Sequence, residues 1–322
     1  MPEPKLSVLL EGYNDSLDLG RIEETLTALA GQDFPLKQME VLVAGTAAQM
    51  ARLEPLRELA SRFARLEFIP APGAHYYQLK NIAADAARGQ YLGFIDSDVL
   101  PDKGWAKALA AALDGGAGAV AGLSGFRAER GHGTPRALLA CAAAVSWGFV
   151  LPRNGGAPRG ILSHNFGIRR EAFQAIRYRE DLGRTCAGSF LLQGMRERGV
   201  SLVFSPEMRT WHLWSAGWWT LRLHVRFGHE IYLLRRIDEK SPFRWLRFLA
   251  LLEPLLVCGR QWLGDFGQWL RYARWAGFSR LGAWLLLPLA AALSALARGS
   301  QLIGMYGTLV APGAMRAFAL RN

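Results

Sequence analysis

The sequence predicts an α/β fold, a parallel sheet wrapped by helices, followed by an apolar helical C-terminal region. Three observations carry this expectation. Over the first two thirds of the chain, apolar runs of strand length alternate with longer segments whose apolar positions recur at helical spacing, and parallel neighbours need such crossovers. Charge is unevenly placed: residues 1–202 carry a net +2, whereas residues 203–322 carry +9 of the total +11. Nine of the 11 tryptophans lie in that basic stretch, a pairing of Trp and Arg with apolar runs that a membrane–water interface selects.

The elements follow in order. Residues 6–10 form an apolar run of buried-strand length, followed by the turn-prone Gly12-Tyr13-Asn14-Asp15. Leu19, Ile22, Leu26 and Leu29 then recur at helical spacing, and Gly31 closes that helix. Residues 41–44 are the second strand, 50–63 a helix, 66–69 the third strand, and 76–88 a helix stopped by Gly89. Residues 91–95 make the fourth strand, Trp105, Leu109 and Leu113 mark the next helix, and 119–123 are a further strand. A small-residue helix (136–147) leads into the loop PRNGGAPRG, which lacks the Gly-Lys-Ser/Thr of a phosphate-binding loop. Residues 165–168 and 201–204 are strands, and 170–176 and 190–197 helices.

Composition excludes several classes. With 51 % hydrophobic and 20 % charged residues, long disorder is not expected. Cys141, Cys186 and Cys258 show no CxxC spacing, which argues against a zinc site or a disulfide framework and for a reducing compartment. No nucleic-acid partner is expected, because the positive charge accompanies apolar runs instead of a polar groove.

The strongest local signal is YLGFIDSDVLP, an apolar strand ending in Asp96 and Asp98. Residues i and i+2 of an extended backbone point to one side, so both carboxylates are expected to face the crevice at the carboxyl end of the sheet. Two hard oxygen donors suit Mg²⁺ or Mn²⁺ shared with a diphosphate; the alternative for an isolated D-x-D is capping of the following helix.

The order LSVLLEGYND, LKNIAADAARGQYLGFIDSDVLPDKGW, SHNFGIRREAF and MRERGVSLVFSPEMRTWH, spanning residues 5–213, resembles the inverting glycosyltransferases of family 2. The resemblance implies a GT-A (Rossmann-like nucleotide-diphospho-sugar transferase) domain over 1–215, with a basic, Trp-rich, membrane-associated helical region over 216–322. It implies a nucleotide-sugar donor, a UDP- or GDP-sugar, with Asp96 facing the donor and Asp98 ligating the metal. Tyr13 would lie against the base, with Lys80 and Asn81 near the donor. His212, after SPEMRTW, matches a histidine the family places near the metal or diphosphate; His164 precedes Asn165 and has a weaker claim. Departures accompany the matches. Glu11 and Gly12 replace the usual Pro-Thr, Ala44-Gly45-Thr46 replaces an acidic pair that reads the base, and Ala187-Gly188 stands where a Glu-Asp supplies the catalytic base. Inversion needs a carboxylate near the acceptor hydroxyl, and the substitutes available are Glu11, Glu180 and Asp181.

Beyond residue 215 the runs 281–297 and 299–315 are uncharged, each 17 residues long and bounded by arginines. As helices they would measure about 26 Å, at the short limit for a ~30 Å hydrocarbon core. They predict a short membrane hairpin or one span plus interfacial helices, with 245–262 lying at the interface. A buried helical subdomain or a homo-oligomer interface is the alternative. Arg222, Arg226 and His229 share one helical face, suited to a donor diphosphate, a lipid phosphate or anionic headgroups. The N-terminal MPEPKLSVLLEGY carries Glu3 where a signal peptide carries positive charge, so a cytoplasmic, membrane-associated catalytic domain is expected. The expected function is metal-dependent glycosyl transfer to a lipid-linked or polysaccharide acceptor. The alternative is a catalytically inactive GT-A-like scaffold or sensing subunit of a membrane glycan assembly complex.

Overall fold

The computed structural model describes residues 3–13, 21–128, 133–153, 156–182, 184, 186–214, 216–241 and 243–321. The turn residues Asn14 and Asp15, and Leu19 of the first expected helix, lie outside them. The chain divides into two compact units, Met1–Ser124 with Val150–His212, and Gly125–Phe149 with Leu213–Asn322.

An eight-stranded sheet has the order β3-β2-β1-β4-β7-β6-β8-β5. Strands β1 (Leu6–Glu11), β2 (Met39–Gly45), β3 (Arg65–Pro70) and β4 (Tyr91–Asp96) run parallel. The helices between them in sequence are α1 (Ile22–Ala30), α2 (Ala47–Leu53) and α3 (Tyr76–Ala86). Every residue of β1 is buried, and its side chains alternate between two cores. Leu6, Val8 and Leu10 pack with Ile22, Leu26 and Trp105, whereas Leu9 packs with Leu42, Tyr76 and Phe94. The expected helix over 50–63 is shorter and earlier. Thr46 and Gln49 form a capping box that starts α2, and Pro55 turns the chain into a 3-10 segment, Glu54–Ser61.

The sheet is mixed instead of all parallel. β5 (Val99–Pro101), α4 (Trp105–Asp114) and β6 (Ala119–Ala128) follow β4, and β7 (Asn165–Arg169) pairs antiparallel to both β4 and β6. The reason lies in how β7 is entered. The coil before it reaches Ser163, which shares Lys80 with Asp96, so the strand starts opposite Ile95 at the carboxyl end of β4 and runs back. Helices α6 (Arg170–Ile176) and α7 (Ala187–Glu197) lead to β8 (Leu202–Trp214), far longer than the expected 201–204 and antiparallel to the unforeseen β5.

The second unit is helical: α5 (Arg136–Trp147), α8 (Ala216–Ile237), a 3-10 segment Arg244–Leu249, α9 (Leu252–Trp275), α10 (Arg280–Leu285), α11 (Leu287–Val310) and α12 (Pro312–Arg321). Residues 125–149 join it: Gln268 Nε2 donates to the Ala144 carbonyl at 2.6 Å, and Ser146 meets His224 at 3.3 Å. Helices α8 and α11 approach backbone to backbone, because a Cβ on Gly304 would overlap the Val225 carbonyl and one on Gly228 the Gln301 carbonyl.

The two uncharged runs do not form a hairpin. Most of both belongs to the single helix α11, and Arg298 is no boundary, because Asp265 neutralises it with contacts of 2.6 and 2.8 Å. Among the described residues no helix is long and apolar enough to cross a membrane.

Candidate active site

The site is assembled where β1 and β4 end. Parallel pairing sets Glu11 opposite Asp96, so adjacent strands finish in carboxylates at the edge where open α/β sheets bind ligands. Lys80, fully buried on α3, donates to Asp96 at 2.6 Å and to the Ser163 carbonyl at 3.0 Å. The Tyr76 hydroxyl, from the first turn of α3, also donates to the Asp96 carboxylate, at 2.7 Å from Oδ1, and lies 2.9 Å from Ser163 Oγ. Strand geometry stops at Asp96, so the pleat does not relate it to Asp98. The intervening turn is pinned by Thr25, whose hydroxyl donates to the carbonyls of Ser97 and Val99 at 3.0 and 3.1 Å. Pairing of Val99 with His212 then brings the imidazole beside Asp98, Nδ1 to Oδ2 3.7 Å.

The two aspartates therefore serve different partners. Burial alone would raise the Asp96 pKa, but the Lys80 ammonium outweighs it and holds the carboxyl below its ordinary value. Burial opposes ionisation of Asp98, and its electrostatic and hydrogen-bonding interaction with the adjacent His212 side chain overcomes it, leaving Asp98 well below the carboxylate range. Glu11 goes the other way. Fully buried, it is raised well above its ordinary value by desolvation and then by Asp96, while its Oε2 accepts the Tyr13 backbone N–H at 2.6 Å. His164 stands edge-on to His212, ring centroids 4.4 Å apart, and burial pushes it down to about 3, so it is a neutral imidazole at pH 7.

A divalent cation fits part of this donor set. Asp98 and His212 offer an oxygen and a nitrogen side by side, a pairing suited to Mn²⁺ and acceptable to Mg²⁺, which bind through one or two side chains plus substrate phosphates and water. Asp96 is committed to Lys80 and Tyr76. Among the described residues no group of three or more His, Cys, Asp or Glu forms a complete metal cage.

The expected residues sort into four places. Glu11, Lys80, Asp96, Asp98 and His212 share one electrostatic cluster, and Tyr13 joins it through an edge contact with Tyr76, centroids 6.3 Å apart. Asn81 and Glu180 are bonded to each other at 2.7 Å, and Asn81 also clamps the Tyr178 backbone, which fastens α3 to the chain before α7. Asp181 is exposed and paired with Arg179 at 2.5 Å. Arg226 belongs to the second unit, where it pairs with Glu230 at 3.5 Å. Arg222 beside it is exposed, but His229 turns inward to Thr308 at 2.8 Å, so the three do not form one open basic face. Ala187 and Gly188 begin α7, confirming that this helix start carries no carboxylate.

Three participants escape the sequence reading. Tyr76 and Ser163 complete the Asp96 network. Arg184, 7 % exposed, lays its guanidinium over the rings of Tyr13 and Tyr76 at 4.9 and 4.7 Å. Only Tyr76, three residues after Gly73 and at the head of a helix aimed at the sheet edge, left a local trace.

A family model for glycosyl transferase family 2 matches residues 7–177, and the chain belongs to that family. Over 103 residues it is 28 % identical to glycosyltransferase AglE of Haloferax volcanii, a match covering 32 % of this chain and 33 % of that protein. Among solved structures it is similar to the mannosyltransferase PcManGT from Pyrobaculum calidifontis in complex with GDP-Man and Mn²⁺, with TM-score 0.54 and 18 % identity over 100 % of this chain and 86 % of that one. It is also similar to S. aureus TarS 1-349 in complex with UDP-GlcNAc, with TM-score 0.51 and 18 % identity over 94 % and 91 %. These likenesses establish the GT-A fold.

Proposed function

We propose that the chain transfers a glycosyl unit from a UDP- or GDP-sugar to a lipid-linked or polysaccharide acceptor at the cytosolic face of a membrane, with inversion and with Mg²⁺ or Mn²⁺. One observation carries the reading: Asp98 and His212 lie together, 3.7 Å apart, at the sheet edge that also buries Asp96, Lys80 and Glu11. The neighbours' complexes with GDP-Man and Mn²⁺ and with UDP-GlcNAc support the donor class.

Each residue then has a task. Asp98 and His212 would hold the cation, which when bound supplies positive charge to the departing diphosphate. Lys80 and Tyr76 lock Asp96 in one orientation, so a donor hydroxyl meets a fixed acceptor instead of a mobile one. Tyr13 offers its ring to the base, and Arg184, stacked on it, directs a second cation at the donor. Glu11 is the candidate base that the cluster itself contains; a raised pKa makes a carboxylate a better proton acceptor for the acceptor hydroxyl. The membrane and lipid-linked acceptor are supported by the net +9 and the tryptophans of residues 203–322.

The test is donor turnover by the full chain in detergent, with GDP-mannose and UDP-GlcNAc in a wider donor panel. Release of nucleoside diphosphate is expected with Mn²⁺ or Mg²⁺ and lost with EDTA, and Asp98→Asn is expected to lower it about 1,000-fold. Absence of binding and hydrolysis with every donor would defeat the reading. The start of α7 at Ala187-Gly188 favours a second one, a scaffold or sensing subunit, which predicts donor binding or partner assembly that Asp98→Asn leaves without any turnover to lose.

A further inference from the structure

Around a small apolar core that includes Tyr232, Val257 and Met305, the second unit turns several polar side chains inward and a set of large apolar ones outward. Helix α9 turns its carboxylates inward: Glu253, 0 % exposed, is gripped by Arg235 at 2.6 Å and Arg236 at 2.7 Å, and Asp265 pairs with Arg298 and Ser294. Its outer face carries Leu252, Leu255, Leu256 and Leu263, exposed by 57, 51, 47 and 67 %, at the i, i+3, i+4, i+11 spacing of one stripe. Helix α11 repeats the inversion, burying Ser294, Ser300, Gln301 and Thr308 while exposing Leu296, Ile303 and Val310 by 58, 63 and 81 %. A helix of a water-soluble domain shows the reverse arrangement. Tyr306 joins the two surfaces by donating to the Leu251 carbonyl at 2.8 Å, and the 3-10 segment just before it adds Trp245 and Phe248, 60 and 75 % exposed.

We propose that this outer surface docks in the plane of an anionic phospholipid bilayer, an inference that rests on the membrane part of the reading above. Charge decides the occupant. Arg247 stacks on Phe248 at 4.8 Å and Arg260 on Phe243 at 4.1 Å, so guanidinium groups lie among the exposed rings, within a region of net +9. A region of net +9 whose arginines interleave with Trp, Phe and Leu is complementary to an anionic lipid surface, where guanidinium groups meet phosphate headgroups while the apolar side chains enter the acyl boundary. In-plane binding follows because no described helix is long and apolar enough to cross. The surface brings the enzyme to a phospholipid layer and selects negative headgroups.

Vesicle co-sedimentation of the full chain tests this, with phosphatidylcholine alone and with about one-third phosphatidylglycerol. Binding to the anionic vesicles is expected to be at least about 10-fold tighter, and Phe248→Glu combined with Leu255→Glu is expected to lower it by about 10-fold or more with the thermal melt preserved. A variant-free measurement accompanies it: vesicles with brominated acyl chains should quench the wild-type tryptophan emission. Equal binding of wild type and variant, or no quenching, overturns the proposal. So does a wild-type dimer in light scattering that the variant breaks while vesicle binding is unchanged, because the occupant is then a second copy. Donor turnover in detergent is independent: vesicle binding without turnover defeats the proposed function alone, and turnover without vesicle binding defeats this inference alone.

Discussion

Both units bury carboxylates, and they do so for opposite ends. At the edge of β1 and β4, Glu11, Asp96 and Asp98 are packed so closely that Asp96 raises Glu11, and the cations among them are shared. In the helical unit, Glu253 meets two arginines and Asp265 one, each in a closed arrangement; burial works against the Glu253 carboxylate, but hydrogen bonds from Arg236 and Arg235 exceed that cost and hold the carboxyl below its ordinary value. Concentrated, mutually repelling acids are a reactive site that the fold must hold together, whereas balanced pairs are part of what holds a fold together.

The sharpest way to break this contrast is to neutralise one acid in each unit. Glu253→Gln strands the buried guanidinium of Arg235 and the half-buried one of Arg236 and is expected to cost about 3 kcal/mol in urea unfolding, with turnover per folded molecule unchanged. Asp98→Asn, expected to lower turnover about 1,000-fold, is expected to move the unfolding midpoint less than Glu253→Gln, because Asp98 faces one imidazole where Glu253 is gripped by two guanidinium groups. If both variants lost stability alike, the distinction would collapse.

Acid is the next probe. His224, buried between Ser146 and Gln301 with Arg298 nearby, is pushed down to about 3 by burial. A histidine with a depressed native pKa binds its proton more readily when unfolded, so stability is full above the unfolded value near 6.5 and falls as pH drops from there toward 3. Glu253, also depressed, adds to the loss once pH passes below about 4.5. His224 alone is expected to lose on the order of 5 kcal/mol across this window, at roughly 1.4 kcal/mol per pH unit, and His164, also pushed down to about 3 by burial, adds to the loss over the same range. His224→Gln should flatten the upper part of the curve, and an unchanged slope would show that another group governs it.

The smallest effect sharpens the role of Glu11. Glu11→Gln is expected to lower turnover about 100-fold while donor affinity holds, and to remove the rise of rate with pH through the raised pKa of this carboxyl. Stability should hold or improve, since an acid in a repulsive setting is being discharged. A loss of donor affinity and of stability, with turnover by the bound complex intact, would mark Glu11 as a support for the Tyr13 backbone instead.

What the sequence disclosed follows from which interactions are local. Strands β1, β2 and β4 are legible because parallel strands buried on both faces are largely apolar runs, and Asp96-Ser97-Asp98 because it ends one of them. The strand at 165–168 was read, but its antiparallel direction was hidden, since that is set by where the preceding coil passes Asp96, which no periodicity encodes. The role of Arg184 was hidden for a like reason: its rings come from positions 13 and 76. In the helical unit, hydropathy registered two uncharged runs and suggested a hairpin. The small polar residues Ser294, Ser300, Gln301 and Thr308 at helical spacing were the overlooked mark of one continuous helix with its polar side inward.

The pairing of Glu11 with Asp96 has a final consequence. Because the ladder between β1 and β4 fixes which side chains stand abreast, the spacing of these acids is indexed by backbone amides and carbonyls, like teeth on two racks. A slip of one tooth would set Leu10 beside Asp96 and reverse every side chain of β1 between the two cores, so the same apolar packing that folds the sheet also proofreads the alignment of its acids.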